Sequence, residues 1–68
     1  MEKLPPLNAV RAFEVAARTG SFTLAATELG VSSAAVSQQI RNLEDWFGKQ
    51  LFVRNGNRIA LTDAGHAI

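Results

Sequence analysis

The sequence contains no cysteine, so neither a disulfide framework nor a thiolate metal site can brace the fold, and stability has to come from apolar packing. It has no apolar run near the roughly 20 residues that a membrane span needs. Its start, Met1-Glu2-Lys3, lacks the basic-then-apolar order of a signal peptide. The expectation is a soluble protein of the cytoplasm that makes no membrane contact. Catalytic signatures are missing as well. There is no glycine-rich phosphate loop, no paired His/carboxylate spacing and no cysteine nucleophile, and Gly48-Lys49 belongs to no phosphate-binding motif. The chain therefore offers no catalytic residues and does not read as an enzyme. The single histidine, His66, has no partners for a metal, so no metal and no cofactor are expected. No internal repeat, low-complexity segment or linker is visible. Excess charge is also scarce: the formal net charge is +1, a smaller basic excess than nucleic-acid binders usually carry.

What is present is a chain of 68 residues, 47% of them hydrophobic. That is enough for one compact domain, which at this size buries only about 60% of the surface its unfolded chain exposes. The distribution of charge says more than its sum. Arg41, Lys49, Arg54 and Arg58 fall in the second half, with the acids Glu44 and Asp45 together between them, an order compatible with one basic face.

Leu4-Pro5-Pro6-Leu7-Asn8 suits the entrance of a first helix, because proline is tolerated in a first turn and asparagine can cap free N–H groups. That helix runs to about Arg18, with Leu7, Val10, Phe13 and Ala17 recurring along one face, and Thr19-Gly20 ends it. Ser21 can cap a short second helix whose inward residues are Phe22, Ala25, Ala26 and Leu29. Gly30-Val31-Ser32 reads as a tight turn in which Gly30 takes a positive φ, Val31 plugs the core and Ser32 caps the next helix. A third helix over about Ser33 to Phe47 places Val36, Ile40, Leu43 and Phe47 on one stripe, and Gly48 closes it. These stripes are read as core. Leu51–Arg54 and Arg58–Leu61 read as strands around Asn55-Gly56-Asn57, a strong hairpin signal. Trp46 lies off the stripe of the third helix, as an interface residue or as a lid over this hairpin, with packing the favoured role. Thr62-Asp63 looks like the cap and first residue of a fourth helix of which only the start is present. The expected fold is mainly α, a winged helix-turn-helix with three helices and a two-stranded wing. The domain spans residues 1–61, with the helix-turn-helix over about 22–47 and the wing over 51–61, and 62–68 begin the fourth helix.

The polar side of the third helix carries Ser33, Ser37, Gln38, Arg41 and Asn42, short donors and acceptors in place of an ordinary Glu/Lys surface. In this motif the second helix of the pair enters the major groove. Ser33, Ser37 and Gln38 would then meet base edges, with Gln38 able to pair bidentately with adenine, and the methyls of Ala34 and Ala35 would lie against thymine. Arg41 reaches a phosphate or a guanine edge. Thr23 and Ser32, at helix N-termini, suit phosphate oxygens. Arg54 and Arg58, flanking the wing tip, suit phosphate contact or an adjacent minor groove. A winged helix used only for protein contact is the main rival, and large apolar anchors on the third helix would favour it.

The whole chain then resembles the DNA-binding domain of bacterial LysR-type transcription regulators. The resemblance is carried by Ala12-Phe13, Gly20-Ser21-Phe22-Thr23, Ala25-Ala26, Leu29, Val31-Ser32, Ala35-Val36-Ser37, Gln39-Ile40, Leu43-Glu44, Gly48, Leu51-Phe52, Arg54 and Leu61-Thr62-Asp63-Ala64-Gly65. The opening, Leu4 to Phe13, is similar to the branch holding the glycine-cleavage activator and the β-lactamase regulators. The resemblance implies sequence-specific binding of double-stranded DNA by a longer protein. In that protein the fourth helix would be a linker that pairs two chains into a homo-oligomer, and a C-terminal domain absent here would bind a small-molecule effector. Three positions depart from the pattern. Ser33 stands where glutamine is usual, Ala34 where proline or serine is usual, and Gln38 where arginine or histidine is frequent, which lowers the expected charge of the recognition face.

Overall fold

Each helix boundary falls where the residue chemistry lets the backbone stop. The computed structural model describes residues 6–68. In it α1 (Leu7–Thr19), α2 (Phe22–Leu29) and α3 (Ser33–Phe47) precede strands β1 (Phe52–Asn55) and β2 (Arg58–Leu61) and a one-turn helix α4 (Asp63–His66). Ser21, Ser32 and Thr62 cap α2, α3 and α4, their hydroxyl oxygens accepting from the N–H groups of Leu24, Ala35 and Gly65. The start of α1 differs from expectation. Its N-cap position is Pro6, no side chain caps it, and Asn8 lies inside the helix. Leu4 and Pro5, also assigned to that entrance, lie outside the described residues, as do Met1, Glu2 and Lys3.

The link between α2 and α3 is a two-bond cap. The N–H of Gly30 donates to Thr27 O at 3.3 Å and that of Val31 to Ala26 O at 3.0 Å. This Schellman geometry needs a left-handed residue, and Gly30 has φ 72°. Val31, expected as an apolar plug, is instead 49% exposed. The second bond occupies its N–H and the turn carries its side chain outward.

The three helices pack on one another around Ala9, Ala12, Val15 and Ala16 of α1, Ala25 and Ala26 of α2, and Val36, Ile40 and Leu43 of α3. Five of these nine are alanine, and helix axes approach more closely where the contacting side chains are small. This corrects half of the expected face of α1, whose Phe13 and Ala17 do pack against the core. Leu7 is 81% exposed and Val10 also points outward, while Ala9, Ala12, Phe13 and Ala16 form the i, i+3, i+4, i+7 stripe that faces the core. Bulkier residues along this seam would hold the helices apart.

The wing is antiparallel, with Phe52 opposite Leu61 and Asn55 opposite Arg58. Its first strand begins and ends one residue later than expected, so the loop is Gly56-Asn57. Gly56 has φ 62° and no other residue has a positive φ there among the described residues, the sign pattern of a type II′ turn. Two residues at the wing's base enter the core. Leu51 is fully buried, and the ring of Phe52 lies 5.4 Å from that of Phe13 and 5.8 Å, edge-on, from that of Phe22. Polar bonds do the rest. Ile59 N–H donates to Gly20 O at 3.0 Å and Thr62 N–H to Leu51 O at 3.0 Å. Trp46 packs edge-on against Phe47, 4.9 Å between ring centres, and is 43% exposed.

Candidate nucleic-acid interface

The surface that matters is formed where the exposed side of α3, the N-terminus of α2 and the wing meet. Helix α3 positions it because its inner stripe is clamped in the core, which fixes the rotation of the helix and turns Ser33, Ala34, Gln38, Arg41 and Asn42 to solvent. The wing is set against α3 by Glu44. That residue's backbone oxygen accepts from Gly48 N–H at 2.7 Å and Lys49 N–H at 3.2 Å. Its carboxylate accepts from Leu51 N–H at 2.8 Å and Phe52 N–H at 3.4 Å. One residue therefore both ends the helix and fixes the departure of β1.

Arg54 forms the ridge between two open grooves. On one side a groove of about 490 Å3 is lined by Phe22, Ser37, Ile40, Arg41 and Arg54, among others. On the other a groove of about 470 Å3 runs past Ser21, Phe22, Thr23, Arg54, Asn57 and Arg58. The Arg54 guanidinium lies 5.2 Å from the centre of the Phe22 ring, within cation–π range, and reaches Ser37 Oγ at 3.5 Å. Arg41 donates to Ser37 Oγ at 3.4 Å and to Gln38 Oε1 at 3.1 Å, and Gln38 Nε2 donates to Asn42 Oδ1 at 3.0 Å.

The expected residues thus fall into three groups. Ser37, Gln38, Arg41 and Arg54 are joined in one hydrogen-bonded chain. Thr23, Arg54 and Arg58 share the second groove. Ser33 and Ala34 stand exposed at the start of α3, beside Ser32, whose hydroxyl oxygen is used in the cap. Arg58 is turned back toward α1, its guanidinium close enough to Gly20 that a Cβ there would sit 3.3 Å from it. A cation at a helix C-terminus meets the negative end of the helix dipole. Sequence reasoning gave no role in the site to Asn42, Glu44 or Phe22. The i, i+4 spacing of Gln38 and Asn42 was the available signal for the first; no local pattern announces the other two. Arg18 of α1 and Glu28 of α2 form an exposed ion pair that Glu14 joins at 3.2 Å. The pair holds the Glu28 carboxyl below its ordinary range and raises the arginine, chiefly through their mutual hydrogen bond. Among the described residues no group of three or more His, Cys, Asp or Glu side chains could hold a metal, and no helix is long and apolar enough to cross a membrane.

Three helices, a tight turn between the second and third, and a hairpin laid beside the third define a winged helix-turn-helix protein. The sequence profile described as the bacterial regulatory helix-turn-helix protein, lysR family, matches residues 7–66, and the chain belongs to that family. It is 53% identical over 66 residues, 97% of its length, to the glycine cleavage system transcriptional activator of Escherichia coli K12. It is 57% identical over 60 residues, 88% of its length, to a carbapenem-hydrolyzing beta-lactamase transcriptional activator of Enterobacter cloacae. It spans 22% of the first of these relatives and 20% of the second, and both come from the branch that the opening residues suggested. Its fold superposes on the crystal structure of a CbnR_DBD–DNA complex with a TM-score of 0.87 at 34% identity, covering 91% of this chain and 71% of that one.

Proposed function

We propose that this chain is the sequence-reading head of a LysR-type transcription regulator and binds double-stranded DNA, with α3 in the major groove and the wing on the backbone or in the adjacent minor groove. The observation that carries the reading is the exposed, hydrogen-bonded set Ser37, Gln38, Arg41 and Arg54, in which wing and recognition helix present donors and acceptors as one surface. The similarity to a chain solved with DNA supports it. Between Ser33 and Asn42 the exposed side of α3 offers serine, alanine, glutamine, arginine and asparagine and none of the large apolar anchors that a protein-binding helix would present, the exposed Leu24 and Val53 standing on α2 and the wing.

Within the reading, Ser33, Ala34, Ser37 and Gln38 meet base edges. Thr23 and Ser32 hold phosphates, Arg41 a phosphate or a guanine edge, and Arg54 and Arg58 a phosphate or the adjacent minor groove, Arg58 after swinging away from Gly20. Residues 1–61 form the binding domain, and α4 begins a linker helix that pairs two chains of the longer protein on the half-sites of an inverted repeat. A small-molecule effector would bind outside this chain, and the intact regulator would work in the cytoplasm. The test is selection from random duplex DNA by the chain fused to a dimerising coiled coil, at low and moderate salt. Enrichment of a two-fold symmetric site supports the reading. Salt-sensitive binding with no enriched sequence removes base reading from α3, and absence of binding at both salts removes the function.

A further inference from the structure

The hydrogen-bonded side chains on α3 do more than gather polar groups; they orient one of them. Gln38 presents an amide whose two ends differ only in chemistry, an oxygen with two lone pairs and a nitrogen with two protons. Free to rotate about its last bond, such an amide offers either end to a base. Here it is held at both ends, with Oε1 accepting from Arg41 at 3.1 Å and Nε2 donating to Asn42 Oδ1 at 3.0 Å. The order of the ends is fixed by the arginine. A guanidinium has donors and no acceptor, so the end beside Arg41 must be the oxygen and the end beside Asn42 must be the nitrogen. Each end spends half of its capacity. One lone pair on Oε1 and one proton on Nε2 stay free, and Gln38 is exposed.

We propose that Asn42, with Arg41, is a specificity-determining positioning residue that locks the Gln38 amide in one orientation, so that it presents a single acceptor and a single donor in fixed order to a base pair. Adenine matches that pair in the major groove, its N6 amino group donating and its N7 accepting. Guanine offers two acceptors there and would leave the glutamine oxygen facing another oxygen. An unlocked amide could rotate to lessen such a clash; a locked one has to break a bond to Arg41 or Asn42 first. Asn42 need not touch DNA for this. The inference rests on the major-groove placement of α3 and adds to it the source of the preference.

The test titrates the purified chain, by fluorescence anisotropy, against the selected duplex and three duplexes in which the base pair facing Gln38 is changed. The unchanged chain is expected to favour adenine about tenfold. Asn42→Ala should reduce that preference to about twofold while leaving melting temperature and affinity for a scrambled duplex as they were, two readouts that a purely structural role would move. Asn42→Asp keeps the acceptor, so it should retain the preference while its added negative charge weakens all four duplexes alike. A full preference in Asn42→Ala, with Gln38→Ala having lost it, overturns the lock and leaves the placement of α3 standing. A full preference in Gln38→Ala overturns both.

Discussion

The three-helix seam and the wing are held by different means. The seam is almost wholly apolar and lined with alanine, so its contacts are short, numerous and non-directional. The wing contributes fewer residues to that core, Leu51 and Phe52 buried in it and Ile59 and Leu61 half-buried against it. Directional bonds at a few points add to these, namely Glu44 to the backbone of Leu51 and Phe52, Ile59 to Gly20, and Thr62 to Leu51 and Gln50. The difference separates stability from aim. The seam decides whether the domain is folded, and the polar bonds decide where the wing stands relative to α3.

The comparison can be broken from the core outward. Leu43→Ala, at a side chain with almost no exposure, should cost about 2–5 kcal/mol, a large part of what a domain this small possesses, and denaturant unfolding should show helices and wing lost together. Gly65→Ala acts on the wing's base alone. An added Cβ would run into the Leu51 carbonyl oxygen and approach Leu61 Cδ2 to 2.8 Å, so α4 must shift, at about 2 kcal/mol, and amide exchange should quicken in β2 and α4 before it does in α3. Glu44→Gln keeps an acceptor for the Leu51 N–H but loses the charge that strengthens the bond. About 1 kcal/mol is expected, read as loosened β1 amides with an unchanged helical signal. The smallest effect belongs to Glu28→Gln. The Arg18 pair lowers the folded-state pKa of Glu28, so its contribution is present above the ordinary carboxylate range and is lost as pH falls through the lowered value. Melting temperatures of variant and parent should differ slightly at neutral pH and converge in acid, because exposed pairs hold little. A large neutral-pH loss would mean that α1 and α2 are held by the ion pair as much as by the alanine seam.

Much of this architecture is legible in the sequence, for identifiable reasons. Ser21, Ser32, Thr62 and Gly30 act through their own backbone neighbourhoods, so local chemistry places the helix ends. The stripe of α3 is legible because Val36, Ile40 and Leu43 are bulky and regularly spaced. The face of α1 is legible only at Phe13 and Ala17, since alanine suits a core and a surface equally, and only the presence of two partner helices turns Ala9, Ala12 and Ala16 inward at the expense of Leu7 and Val10. The candidate site divides the same way. Ser37, Gln38, Arg41 and Arg54 follow from the helix face and the hairpin, whereas Phe22 as the seat of Arg54 and Glu44 as the anchor of β1 depend on contacts between separate elements that no local pattern encodes. Asn42 was visible on the polar face, and its partner was what gave it meaning.

The bond from Ile59 N–H to Gly20 O joins residues far apart in the chain, and it gives the domain an order of assembly. Helices build from near neighbours and form early; closing the long intervening loop is the slower step. The second strand has no docking point on α1 until that helix has ended at Gly20, so the hairpin tip is expected to order after the helices. By the same reasoning amide exchange should be faster at Gly56 and Asn57 than in α1 to α3, while Leu51 and Phe52 keep the base of the wing in the core.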